Sequence, residues 1–135
     1  MTLQNRWVWI GMLGALGLAA SAGCGGTDGP ARYPVSGSVS FDGQPVPAGE
    51  VFLEPDGSQG NTGPASLAVI ENGRYDTATN QGVVGGPYLV RISGYDGVSI
   101  PDSSAGMPLF PPYETQVEFP AEQTTQDFDI PAASP

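Results

Sequence analysis

Between Val35 and Phe41 the chain alternates strictly, with Val35, Gly37, Val39 and Phe41 on one side and Ser36, Ser38 and Ser40 on the other. A period of two with one apolar and one hydroxyl face describes a strand with a dry side and a wet side. The wider stretch, Tyr33–Pro55, organises the rest of the chain. Asp42-Gly43 interrupts the run, and Pro45 and Pro47 shape a loop that needs no ladder donors. Val51 and Leu53 then resume the apolar face, with Glu50, Phe52 and Glu54 opposite. This pattern predicts an opening hairpin between the two strands.

The same rhythm returns five times. Ala65–Ile70 places Leu67 and Val69 on one face, and Asn72-Gly73 separates it from Arg74–Thr77, where Tyr75 points inward. Asn-Gly between two apolar runs is the strongest short-range hairpin signal. Tyr88–Ser93 puts Tyr88, Val90 and Ile92 together, with Leu89 and Arg91 opposite. Glu114–Phe119 aligns Thr115, Val117 and Phe119, and Gln126–Ile130 sets Phe128 and Ile130 against Asp127 and Asp129. Seven such strands, with no helical apolar period after the first segment, predict an all-β domain over residues 33–131, a single seven-stranded antiparallel β-sandwich. Two connections are unusual. Residues 56–63 are polar with no apolar anchor and are expected to be exposed and mobile. Residues 94–112 carry four prolines and no periodicity. At that length a loop is either functional or a packed Ω-like cover. Its apolar members, among them Tyr95, Met107, Leu109 and Phe110, favour the cover.

Ahead of the domain lies a different composition. Met1–Arg6 is a short segment with one cationic side chain, and Trp7 to Ala20 is wholly apolar or glycine. That is short of the roughly twenty residues a membrane-crossing helix needs, and it suits the helical core of a secretory signal. Ser21-Ala22-Gly23-Cys24 follows, ending in the only cysteine of the chain. This junction resembles the lipobox of bacterial lipoproteins, in which the cysteine is lipidated and becomes the mature N-terminus. Ser21 departs from the aliphatic residue usual there. The resemblance implies a signal peptide over residues 1–23, acylation (palmitate) at Cys24, and an extracytoplasmic domain held to the bacterial cell membrane. Acyl chains at that point give stable attachment, each buried methylene contributing about 0.8 kcal/mol. The plainer alternative is an ordinary signal peptide that leaves a free thiol. Residues 24–32 read as a flexible tether, and residues 132–135 as a disordered tail.

Charge narrows the partners. Fourteen acids stand against four arginines, with no lysine and no histidine, for a net charge of −10. Nucleic acid demands clustered cations, so it is excluded as a partner, as is an electrostatic grip on anionic lipid. One cysteine cannot form an internal disulfide.

Residues 35–93 resemble the carboxypeptidase regulatory-like family, whose domain is a transthyretin-like or prealbumin-like (Ig-like) β-sandwich. The residues that carry the likeness are Val35–Val39, Asp42-Gly43-Gln44-Pro45-Val46, Val51-Phe52-Leu53, Asn72-Gly73-Arg74-Tyr75 and Gly86–Ile92. The likeness implies an extracytoplasmic accessory or interaction domain with no catalysis of its own.

Residue types agree with that expectation of a non-enzyme. Without histidine neither a Ser-His-Asp nor a Cys-His nucleophile can be built. Zinc and copper lack ligands, and no cofactor or metal is expected. Calcium is the least unfavourable ion, through Asp96, Asp102 or the Glu54/Asp56 loop. The pairs Glu50/Glu54, Glu114/Glu118 and Asp127/Asp129 are expected on a solvated face. Tyr75 and Tyr88 are expected in the core. Tyr95, Phe110 and Tyr113 around the long loop form a candidate ligand-binding set, with packing beneath the loop as the competing reading. The functional expectation is a non-enzymatic, lipid-anchored envelope protein that acts as a binding or structural accessory, with envelope proteins or cell-wall polysaccharide as candidate partners. The alternative is a module for carbohydrate or peptidoglycan, the cell-wall polysaccharide.

Overall fold

The computed structural model describes residues 29–78 and 81–133. The signal segment, Cys24 and most of the expected tether therefore lie outside the described residues. Nine strands lie among the described residues: β1 (Val35–Phe41), β2 (Gln44–Pro45), β3 (Ala48–Pro55), β4 (Ser66–Glu71), β5 (Arg74–Asp76), β6 (Gly86–Tyr95), β7 (Tyr113–Phe119), β8 (Thr124–Thr125) and β9 (Phe128–Ile130). A 3-10 turn spans Gly57–Gln59. No helix among the described residues is long and apolar enough to cross a membrane.

The domain is all-β, as its alternation predicts, and its strands join in one curled sheet. The hydrogen-bonded order is β2-β1-β5-β4-β3-β6-β7, antiparallel throughout, with β8 and β9 added parallel to β1. The sheet changes partners at the Asn72-Gly73 turn. There β4 and β5 share the single pair Glu71↔Arg74, after which β5 leaves to pair with β1 and β4 stays with β3. Asn72 and Gly73 have φ of 50° and 76°, the left-handed pair that a tight two-residue hairpin turn requires. The curl brings both halves of the sheet onto one core. Val35, Val39, Tyr75, Phe128 and Ile130 come from one half, and Val51, Leu53, Ile70, Tyr88, Val90, Ile92 and Phe119 from the other. Inside it Tyr88 stands edge-on to Phe119 at 5.4 Å, and its hydroxyl accepts from the Val84 amide at 2.9 Å. The Tyr75 hydroxyl donates to the Gln126 carbonyl at 2.5 Å.

Three expectations need correction. First, the opening hairpin does not form between β1 and β3. Asp42-Gly43 is a complete turn, with φ of 50° and 73°, and it returns only Gln44 and Pro45 alongside β1. Pro45 and Pro47 have no amide to extend that ladder. The chain crosses over instead, and β3 pairs with β4 and β6. Second, residues 56–63 are exposed for most of their length, as expected, but they are anchored at Asp56 and Asn61. The buried Asp56 carboxylate accepts from the Ser58 amide at 3.0 Å and the Gln59 side chain at 2.8 Å. The Asn61 side chain donates to the carbonyls of Gly85 and Pro87 at 3.1 and 2.7 Å. Polar side chains do here what an apolar anchor does elsewhere. Third, residues 96–107 are a hairpin extending β6. Asp96 donates to Met107, Gly97 to Ala105, and Ile100 and Ser103 bond each other across Pro101-Asp102. The prolines hide its period without preventing it.

Candidate binding surfaces

Two depressions flank the outer strands of the sheet. The first lies on the outer face of β3, β6 and β7. Alternation sends Glu50, Phe52 and Glu54 of β3 to this side, with Leu89, Arg91 and Ser93 of β6 and Glu114, Gln116 and Glu118 of β7. Register sets Phe52 beside Arg91, and Arg91 beside Glu114. The result is a depression of about 250 Å³ lined by Phe52, Glu54, Leu89, Arg91, Glu114 and Gln116. Arg91 Nε lies 2.8 Å from Glu114 Oε1, with both side chains more than half exposed. Such a pair contributes little stability, and it removes the cation from service against other acids. β4 continues the face with Leu67 and Val69, the latter 58% exposed. Their common face was expected, but it is the outer one: Val51↔Ala68 and Glu50↔Val69 turn Ala68 and Ile70 inward.

The second depression, about 260 Å³, opens where β7 begins and β9 ends, with Phe41, Phe110, Pro112, Tyr113, Ile130 and Pro131 among its lining. Phe110 is held by a gap in β6. Gly94 points inward without a side chain, and a Cβ there would come within 2.6 Å of the Phe110 ring. Phe110 fills that space and stacks on Phe41 with centroids 5.0 Å apart. Tyr113 is half-buried beside it, packed against the core. Tyr95 follows Gly94 in a regular ladder, so it leaves β6 on the outer side. The structure thus unites Phe110 and Tyr113 and separates Tyr95 from them.

No family model matches the chain, and no curated protein does. The surfaces must be read from their own chemistry. The paired acids are exposed, as expected. At and just before β9 they also bind β1: Asp127 accepts from the Ser38 amide at 2.8 Å, and Asp129 from the Ser40 hydroxyl at 2.9 Å. Two of the acids considered for calcium, Asp56 and Asp96, are engaged separately. Hydrogen bonds from Ser58 and Gln59 hold the Asp56 carboxyl below its ordinary 3.8. Asp96 closes the long hairpin by accepting from the amides of Val98 and Met107 at 2.9 and 3.1 Å. Among the described residues no three His, Cys, Asp or Glu side chains are grouped to hold a metal ion. Burial, and then the nearby Asp127 charge, push the Tyr75 phenol above its ordinary range.

Sequence reasoning passed over two features here. The Asp56-x-x-Gln59 spacing is a helix-capping signature and was available to find the anchored turn. The apolar outer face of β4, Leu67 and Val69, carried no signal separating it from the core.

Proposed function

We propose that this chain is a non-enzymatic, lipid-anchored protein of the bacterial cell envelope, whose strand domain is a binding or structural accessory. In this reading the curled sheet is the seven-stranded sandwich of a carboxypeptidase regulatory-like, prealbumin-like domain. The Asp42-Gly43 and Asn72-Gly73 turns that carry the resemblance both take left-handed φ angles in tight turns of the sheet. Residues 1–23 are the signal peptide, Cys24 carries the lipid, and the domain is extracytoplasmic.

One observation carries this reading furthest, namely the polarity of the domain. The described chain enters at Gly29–Arg32, where the Arg32 guanidinium donates to the carbonyls of Ala65 and Gly82 at 3.1 and 2.8 Å. From there β1 runs seven residues, about 20 Å at strand rise, to the end where Phe41, Phe110 and Tyr113 form the second depression. A lipid ahead of Gly29 holds one end of the sheet at the membrane and turns the apolar depression away from it. Cell fractionation tests this: the wild-type chain is expected with membranes, and Cys24→Ser in the soluble extracytoplasmic fraction. Equal membrane association of the two would refute the anchor.

The carbohydrate reading has less support. A sugar platform needs exposed ring faces on one surface, whereas Phe110 is buried and Tyr95 lies on the other side of β6.

A further inference from the structure

The ladder between β6 and β7 runs from Gly86↔Phe119 to Ile92↔Tyr113. Among the described residues β7 pairs with no other strand. In an antiparallel ladder alternate residues turn their N–H and C=O groups away from the partner. The second edge of β7 therefore presents a row of main-chain donors and acceptors. Natural edges are usually blunted by proline, lysine, bulges or extreme shortness. This one has no proline, lysine or bulge and is not short, its charges being the two glutamates: it reads YETQVEF over seven residues in unbroken register. Its outer side carries the exposed Glu114, Gln116 and Glu118, and its inner side the half-buried Tyr113, Thr115 and Val117. The apolar depression of about 260 Å³ lies at its Tyr113 end.

We propose that the free edge of β7 receives an extended segment of a partner protein as an additional strand. Main-chain bonds supply affinity in this mode, and alternate side chains supply specificity. The segment recognised carries Lys or Arg at the alternate positions facing Glu114 and Glu118. Its other face carries apolar residues, with a large one over the depression at Tyr113. Arg91 is already engaged with Glu114 at 2.8 Å, so among the described residues no cation is left to relieve Glu118. Charge also decides against a second copy of this chain. Pairing all of Tyr113–Phe119 antiparallel with itself sets each Glu114 opposite the other copy's Glu118, and like charges directly opposed are destabilising. The chain has no lysine with which to offset that repulsion. The proposal deepens the binding-module reading by naming the partner's chemistry, and it stands whether or not Cys24 is acylated.

The test uses the full chain in a nonionic detergent and three synthetic seven-residue peptides. One alternates valine and lysine, a second replaces lysine with glutamate, and a third is the first with alternate amides N-methylated. Binding is read by calorimetry, and amide hydrogen exchange is read by mass spectrometry. The lysine peptide is expected to bind and to slow exchange in residues 113–119, while the other two bind at least about tenfold more weakly. Gln116→Lys with Glu118→Lys is expected to weaken the lysine peptide about tenfold with the melting temperature unchanged. Three results would overturn the proposal. They are no protection of residues 113–119 by the lysine peptide, equal binding of the N-methylated peptide, and protection of β7 that rises with protein concentration in the absence of peptide.

Discussion

A Cβ built on Gly37 would lie 2.1 Å from the carbonyl oxygen of Gln126. The link from β8 to β9 crosses β1 at that point, and its Gln126 amide donates to Ser36 at 2.8 Å. Glycine at this position of the apolar face is what allows the parallel pairing of β9. Gly37→Ala is therefore expected to cost about 1–3 kcal/mol, the usual penalty of overpacking, measurable as a shift in the denaturation midpoint. Asp56 makes a different prediction at the same scale. Its folded pKa lies below 3.8 because Ser58 and Gln59 bond the charged form. A depressed carboxyl stabilises the fold above the unfolded pKa, and that contribution fades as pH falls through the lower folded value. Asp56→Asn should therefore be less stable than wild type at neutral pH and lose less stability as pH falls below about 4. Melting temperatures of the two proteins at neutral and acid pH check this; parallel losses would contradict it. In the sequence Gly37 is visible only as a small residue in an apolar row. What crosses above it is set by a partner some ninety positions away, beyond the reach of local pattern (about the separation of the Ser38–Asp127 bond, 89 residues).

The long connection after β6 shows which elements can be read in advance. Strand existence was legible wherever one face is dry and the other wet, as in β1, β6 and β7, because alternation is a direct record of burial. It was not legible for the 96–107 hairpin, whose chain-reversing unit is Pro101-Asp102 between Ile100 and Ser103. Nor did alternation choose the face of β4, since Leu67 and Val69 on one side and Ala68 and Ile70 on the other are all apolar. Register with β3 makes that choice. Of the three aromatics around the hairpin, Phe110 holds the connection down, wedged between Gly94 and Phe41. Phe110→Ala is accordingly expected to cost about 3–5 kcal/mol, and Tyr95→Ala about 1 kcal/mol or less. Urea denaturation of the two variants separates them. Equal losses would mean that Phe110 is not the packing residue.

At the scale of the molecule, the sheet order was the least legible property. Seven strands could be counted, but which edges meet depends on long-range choices: β3 takes β4 and β6, and β1 collects β5, β8 and β9. The two-residue strands β2 and β8 are too short to leave a periodic trace. The candidate surfaces follow from that order, which is why Phe110 and Tyr113 could be named from sequence while Tyr95 could not be separated from them. The outcome is a curled sheet that the chain enters at one end, with its apolar depression at the other and an open edge along β7. The functional account rests on what precedes Gly29. Intact-mass measurement of the protein recovered from the cell envelope tests it most directly. The account predicts a chain beginning at Cys24 and heavier than its sequence by the mass of the attached acyl groups. A chain that retains its first twenty-three residues, or that begins near Cys24 with an unmodified thiol, would contradict it.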